Sequence, residues 1–249
     1  MIPIKSEEEI KILGEANKIV ARILKSIKAI VKPGISTREL ELFAEDLIKK
    51  AGAISAFKGY HNYPASICTS INEEVVHGIP SEKRILKSGD IVSIDSGVKF
   101  KNYYGDATIT CPVGEIDNDT KELIDITEKS LYKGIEKAKA GNYLFDISWA
   151  IQSFVENNGY GVIRDFVGHG IGRQLHEEPQ IPNFGKPCTG PLLKEGMVFA
   201  IEPMVSQGTW EVEVLSDGWT VVTLDNSLAC HFEHTIAIMK NGPVILSKE

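Results

Sequence analysis

The chain has 249 residues, 43% hydrophobic and 24% charged, with a formal net charge of −7 at pH 7. That length can bury a full core within one large domain, and the composition is that of an ordinary soluble globular protein. The acidic balance and the lack of any basic run exclude nucleic acid as a substrate. The N-terminus, Met1 to Glu9, carries acids where a secretion signal needs an apolar core, and no stretch approaches the ~20 apolar residues of a membrane span. Cys68, Cys111, Cys188 and Cys230 are widely spaced with no C-x-x-C. That spacing points to a reduced, cytoplasmic protein with neither a zinc knuckle nor a disulfide framework.

Ser6 followed by Glu9 predicts a capping box that opens a helix. Its apolar stripe runs through Ile10, Leu13, Val20, Leu24, Ile27 and Val31 to a stop at Pro33-Gly34. Ser36 and Glu39 open a second helix through Leu40, Phe43, Leu47 and Ile48, which Gly52 ends. Mixed short segments lead to Pro80. The stretch Ser93–Thr110 then has the residue types of two β-strands, with Val98–Gly105 as the turn between them. Asp95 and Asp106 fall within these strands. An Asp there lies on the solvated face, caps a turn, pairs with a cation or binds a metal, because an unpaired buried carboxylate is costly. A third helix opens at Asp119 or Thr120, and Asp146 caps a fourth that halts at Gly159.

Two helix pairs, each followed by strands, indicate a chain built twice. Gly34 and Gly141 are 107 residues apart, and so are Gly52 and Gly159. The string Leu86–Asp95, LKSGDIVSID, aligns with Leu193–Glu202, LKEGMVFAIE, at the same offset and sets Asp95 opposite Glu202. Further on, D-A-T-I at Asp106 matches E-H-T-I at Glu233, the second half having gained twenty residues between its acids. Upstream, H-G-I-P at His77 matches H-E-E-P at His176. A duplicated α+β unit closes its sheets around one pocket with helices outside.

His169 in V-G-H-G-I-G adds one nitrogen donor, since flanking glycines let the backbone pass close and present an imidazole to a cavity. A lone His is otherwise a core residue. Beside Asp95, Asp106, Glu202 and Glu233, however, it makes a set that suits two divalent ions ~3.5–4 Å apart with a shared water. The oxygen-rich ligation favours Mn and Fe(II), and Co and Zn also bind such a set.

With these residues in place, the chain closely resembles the type I methionine aminopeptidases. The resemblance covers nearly the whole sequence. It implies the pita-bread fold, in which α+β half-units, here 1–118 and 119–249 of a single catalytic domain, relate by a pseudo-two-fold axis around a dinuclear metal site. By the resemblance, Asp95 binds one ion, Asp106 and Glu233 bridge both, and His169 and Glu202 complete the other. Glu202 is the general base, His77 meets the substrate near the scissile bond, and His176 stabilises the tetrahedral intermediate. Tyr60, Tyr63, Cys68, His77, Leu175 and Trp219 form the pocket for the N-terminal side chain. Members often carry Cys at the position of Phe57 and Phe at that of Leu175. His61, His231 and His234 have no assigned partner and read as structural.

The implied activity is removal of the initiator Met from nascent polypeptides whose second residue is small. It would be carried out by a cytoplasmic monomer with transient ribosome association. Proline-specific relatives of this fold carry a large extra N-terminal domain. Type II enzymes carry an insertion before the final Glu, and non-catalytic relatives lose metal ligands, whereas all five are present here.

Overall fold

The computed structural model describes residues 1–248. Helix α1 spans Glu7–Lys28 and α2 spans Thr37–Lys50. Strands β1 (Ile54–Ser55), β2 (Cys68–Ile71) and β3 (Glu74–Val76) lead to the long hairpin of β4 (Ile91–Phe100) and β5 (Tyr103–Pro112). The second half again opens with two helices, α3 (Asn118–Lys137) and α4 (Leu144–Asn157). After them come β6 (Gly161–Val162), β7 (Gly168–Gly170), β8 (Glu177–Ile181) and β9 (Val198–Ile201). The chain continues through β10 (Met204–Ser206), β11 (Val212–Val214), β12 (Val221–Thr223) and β13 (Ala229–His231), and ends with β14 (Glu233–Met239) and β15 (Gly242–Ile245). Among the described residues no helix is long and apolar enough to cross a membrane.

Both predicted capping boxes form. Ser6 Oγ accepts from Glu9 N while the Glu9 carboxylate accepts from Ser6 N, and Ser36 and Glu39 do the same. The other two starts differ from the expectation. Asp117, not Asp119 or Thr120, caps α3, accepting from Thr120 N at 2.7 Å. In α4 the cap position is Tyr143, and Asp146 lies inside the first turn. There its carboxylate accepts from Tyr143 N at 2.8 Å and from Cys188 N at 2.7 Å. An acid three residues into a helix reaches back to the cap backbone, so both positions look like starts in sequence.

The hairpin turn is shorter than expected. Only Lys101 and Asn102 lie between the strands, at φ of 50° and 65°, the left-handed pair that matches strand twist in a two-residue turn. Gly105, at the end of the expected turn, sits within β5, as Gly97 sits within β4, for another reason. A Cβ on Gly97 would lie 2.6 Å from the Phe57 ring, and one on Gly105 would lie 2.7 Å from the α1 backbone at Ala16 and Asn17.

The main sheet runs β1-β4-β5-β14-β9-β7-β8, with β2 also on β4 and β15 on β14. Helices α1 and α2 cover its first half, packing Val20, Leu24 and Leu40 on Val92, Ile94 and Val98. Helices α3 and α4 cover the second, packing Leu131, Ile147 and Ile151 on Phe199, Ile201 and Ile236. The β5–β14 pairing joins the halves, with Thr108 opposite Glu233. Because Gly105 lies against the α1 backbone, Gly105→Ala is expected to push helix from sheet. A loss of about 1–3 kcal/mol in denaturant unfolding is expected, and stability within experimental error of the parent would show that α1 yields freely there.

Candidate metal centre

Five adjacent strands each supply one ligand-type side chain. In spatial order they are Asp95 from β4, Asp106 from β5, Glu233 from β14, Glu202 just past β9, and His169 from β7. The register explains the convergence. Asp95 faces Thr108 across β4–β5, Thr108 faces Glu233 across β5–β14, and Asp106 lies two residues from Thr108 on the same face. Thr108 Oγ1 donates to Glu233 Oε2 at 2.9 Å, which fixes that carboxylate.

Ligand atoms of Asp106, His169 and Glu233 all lie within 4.8 Å of one another. Glu202 Oε1 is 3.6 Å from His169 Nε2. His169 Nδ1 lies 2.9 Å from Gly170 O. A carbonyl only accepts, so Nδ1 carries the proton and Nε2 offers its lone pair to the cluster, as a metal-ligating imidazole does. The flanking glycines serve as expected: a Cβ on Gly168 would crowd Ala200 O, and one on Gly170 would overlap Glu178 O.

The electrostatics of this group are unfavourable without a cation. Burial pushes the Asp95 carboxyl up to about 6. Asp106, Glu202 and Glu233 are raised well above the ordinary carboxylate range, first by burial and then by the charge of neighbouring acids, Asp95 among them in each case. No Lys or Arg stands in the cavity wall. Asp95 Oδ1, Asp106 Oδ1 and Glu233 Oε1 are buried without a hydrogen-bond partner. Orphaned carboxylate oxygens facing one nitrogen lone pair fit a hard divalent cation.

The cluster forms one end of a cavity of about 240 Å³. All the residues expected at the site line it: the five candidate ligands, His77, His176, Tyr60, Tyr63, Cys68, Leu175 and Trp219. Cys68 stands directly across β2–β4 from Asp95. Burial holds its thiol well above the usual thiol range, so it presents neutral sulfur. Trp219 packs edge-on to Tyr63 at 5.0 Å between ring centroids and to His77 at 6.0 Å. It is carried by the turn between β11 and β12, within the twenty extra residues of the second half, and β12 pairs with β3 just before His77.

The model of metallopeptidase family M24 matches residues 11–240. The chain belongs to that family. A methionine aminopeptidase of Clostridium acetobutylicum is 54% identical over 247 residues, covering 99% of each chain. The crystal structure of methionine aminopeptidase from Thermotoga maritima superposes with a TM-score of 0.99 at 49% identity over 100% of both chains. Prolidase from Pyrococcus furiosus reaches a TM-score of 0.81 at 27% identity, covering 99% of this chain and 65% of that one. The fold is therefore the α+β pita-bread of M24 metallopeptidases, as the resemblance implied.

Two histidines read as structural belong to the site. His61 lines the cavity beside Tyr60, in a left-handed conformation at φ 46°. His231 is buried, and its Nε2 lies 3.6 Å from Glu202 Oε2 with no hydrogen-bond partner. It ends β13, two residues before β14 opens at Glu233, and no local pattern in the sequence marks it as part of the site. His234 is structural as read, with Nδ1 2.8 Å from Ser247 Oγ. Phe57 also lines the wall, and its ring fills the space that Gly97 leaves open.

The shifts fix a pH dependence. Burial depresses His169 to about 3 and His77 and His231 to about 4. These three are neutral in both folded and unfolded chains above roughly pH 6.5. Beyond that point the raised carboxylates dominate this cluster: the folded chain holds protons that the unfolded chain has released, so stability falls as pH rises. Metal-free protein should therefore lose melting temperature from pH 6.5 towards 9. Added Mn²⁺ should reverse the trend, because ligation favours the deprotonated carboxylates. Calorimetry with and without the ion checks both; a metal-free melting temperature that rises over this range would contradict the electrostatic account.

Proposed function

We infer that this chain is a metal-dependent methionyl aminopeptidase that removes the initiator Met from nascent polypeptides when the second residue is small. The observation that carries this reading is one cavity in which ligands from five adjacent strands meet a neutral wall of aromatic rings and sulfur. Such a wall surrounds an unbranched thioether without demanding a hydrogen bond from it.

Asp95 would hold one divalent ion and His169 with Glu202 a second, with Asp106 and Glu233 shared. The ions are drawn from Mn, Fe(II), Co and Zn. When bound, such a pair makes a water acidic enough to attack near neutral pH and polarises a carbonyl. The protein's own groups carry the rest. Glu202, whose burial raises its proton affinity, takes the proton of the attacking water and returns it to the leaving amine. His176 donates to the carbonyl oxygen as negative charge develops there. His77 meets the substrate beside the scissile bond. Tyr63 is held rigid for the Met side chain, its hydroxyl donating to Ile67 O and Gly78 O at 3.2 and 3.1 Å.

Residues 1–249 are read as a single catalytic domain of two half-units, 1–118 and 119–249, because one sheet runs through both across the β5–β14 pairing. On this reading the enzyme acts in the cytoplasm, as a monomer in transient contact with the ribosome, where Met-headed chains emerge.

Two measurements test the activity. Metal-loaded enzyme should release Met from Met-Ala-Ser and leave Met-Ile-Pro intact. Preferential release of the first residue from Xaa-Pro peptides would replace this reading with a prolyl one. Glu202→Gln should lower kcat by about 10²–10⁴-fold with an unchanged circular dichroism spectrum, because an amide accepts no proton. Turnover within about tenfold of the parent would remove Glu202 from the proton-transfer role.

A further inference from the structure

His169 and His176 sit with ring centroids 4.3 Å apart, edge to face, yet their ring nitrogens have opposite surroundings. Gly170 O fixes the proton of His169 on Nδ1. His176 Nδ1 instead lies 2.7 Å from the hydroxyl of Tyr60. We propose that Tyr60 is a positioning residue: its hydroxyl donates to His176 Nδ1, fixing the tautomer that carries its proton on Nε2 and aiming that N–H into the cavity.

The surroundings leave this one degree of freedom to be set. The backbone on either side of His176 is already fastened. Glu177 Oε1 accepts from Arg173 N at 2.7 Å and Gln174 N at 3.2 Å, and Glu177 pairs with the sunken Lys5. Tyr104 N donates to Gly172 O at 2.9 Å. What remains is the orientation of the imidazole ring and the placement of its proton. Tyr60 reaches the ring from a bent segment held by Gly59 at φ 89° and by His61 and Asn62 at φ 46° and 70°. Tyr60 N donates to Phe57 O and Tyr63 N to Tyr60 O, so the phenol is presented from a closed turn. A phenol hydroxyl can donate or accept; where it donates to Nδ1, the neutral imidazole keeps its proton on Nε2. Only that tautomer gives a donor to an oxyanion without a net positive charge beside the metal ligand His169.

The inference rests on the aminopeptidase reading for its kinetic consequence and not for its tautomer. The full-length protein is labelled with ¹⁵N-histidine, and nitrogen–proton correlation spectra are recorded metal-free and with diamagnetic Zn²⁺. His176 is assigned by difference against His176→Gln. The expected wild-type pattern is that of an Nε2–H imidazole. In Tyr60→Phe the His176 signals should shift towards a mixture of tautomers. In the same variant kcat for Met-Ala-Ser should fall about three- to tenfold, the worth of one neutral hydrogen bond, with KM little changed because the ring is retained. An Nδ1–H pattern in the wild type overturns the proposal even if the variant does not fold. So does a Tyr60→Phe variant with unchanged tautomer and kcat. Because the spectra need no substrate, failure of the proposal is distinguishable from failure of the peptidase reading, which would appear as no Met release from wild-type enzyme.

Discussion

Four carboxylates held around one point, with no Lys or Arg among the described residues of the wall, form the constraint on which the rest of the structure depends. Like charges so placed repel strongly in a low-dielectric interior, and burial alone already opposes ionisation. A flexible frame would relieve that repulsion by letting the acids turn out to solvent. Here each acid lies on or at the end of a sheet strand, and the strands are pinned from behind by two helical layers. The helices supply the favourable burial that offsets the unfavourable site, and only a cation can satisfy the acids where they stand. Metal binding and stability are consequently one linked equilibrium.

The duplication is visible in the pairing as well as in the sequence. Ser70 faces Ser93 across β2–β4, and His169 faces Ala200 across β7–β9. Ser93 and Ala200 are 107 residues apart, while Ser70 and His169 are 99 apart, the same spacing that separates His77 from His176. The first half has Ser70 where the second has the imidazole of His169, and Ser70 Oγ accepts from Gly78 N instead. One half-unit thus places its polar side chain in a turn and the other points its equivalent at the cluster. The hairpin registers also differ. Ile94 faces Ile109, three residues past Asp106, whereas Ile201 faces His234, one residue past Glu233. The slip is two residues, an even number, so both acids keep to the same face of the sheet.

Much of this was legible because local rules and the tertiary fold agree. The capping boxes at Ser6 and Ser36, the apolar stripes, and the acids within strands all describe chemistry that neighbouring residues decide. The misreadings share a different cause. Gly105, at the end of the expected turn, serves close approach to α1, and Asp146, the expected cap, reaches back to one. In each case the partner is remote in sequence or on the other side of a helix start. His231 was missed for the same reason: its importance comes from Glu202, twenty-nine positions earlier and brought near only by the β10–β13 pairing.

Helix α1 shows how far from the metal ligands the site extends. Asn17, fully buried in mid-helix, donates to Leu13 O at 2.9 Å, and its Oδ1 accepts from Asp106 N at 3.2 Å. A buried amide in a helix interior is a poor choice for helix stability, since it competes with the ladder for hydrogen bonds. Its presence is explained by the strand it touches: Asp106 N points out of the β5 ladder at this position, and an unpaired buried N–H would be costly. Gly105, one residue earlier, lets the helix approach. Thr235 Oγ1 then donates to Asp106 O from the far side at 2.8 Å. The peptide groups flanking this carboxylate are therefore clamped from the helix on one side and from β14 on the other. A carboxylate at a candidate cation site tolerates little displacement, and a helix that gives up some intrinsic stability to hold it follows the usual pattern, in which local rules are broken where function needs a fixed geometry.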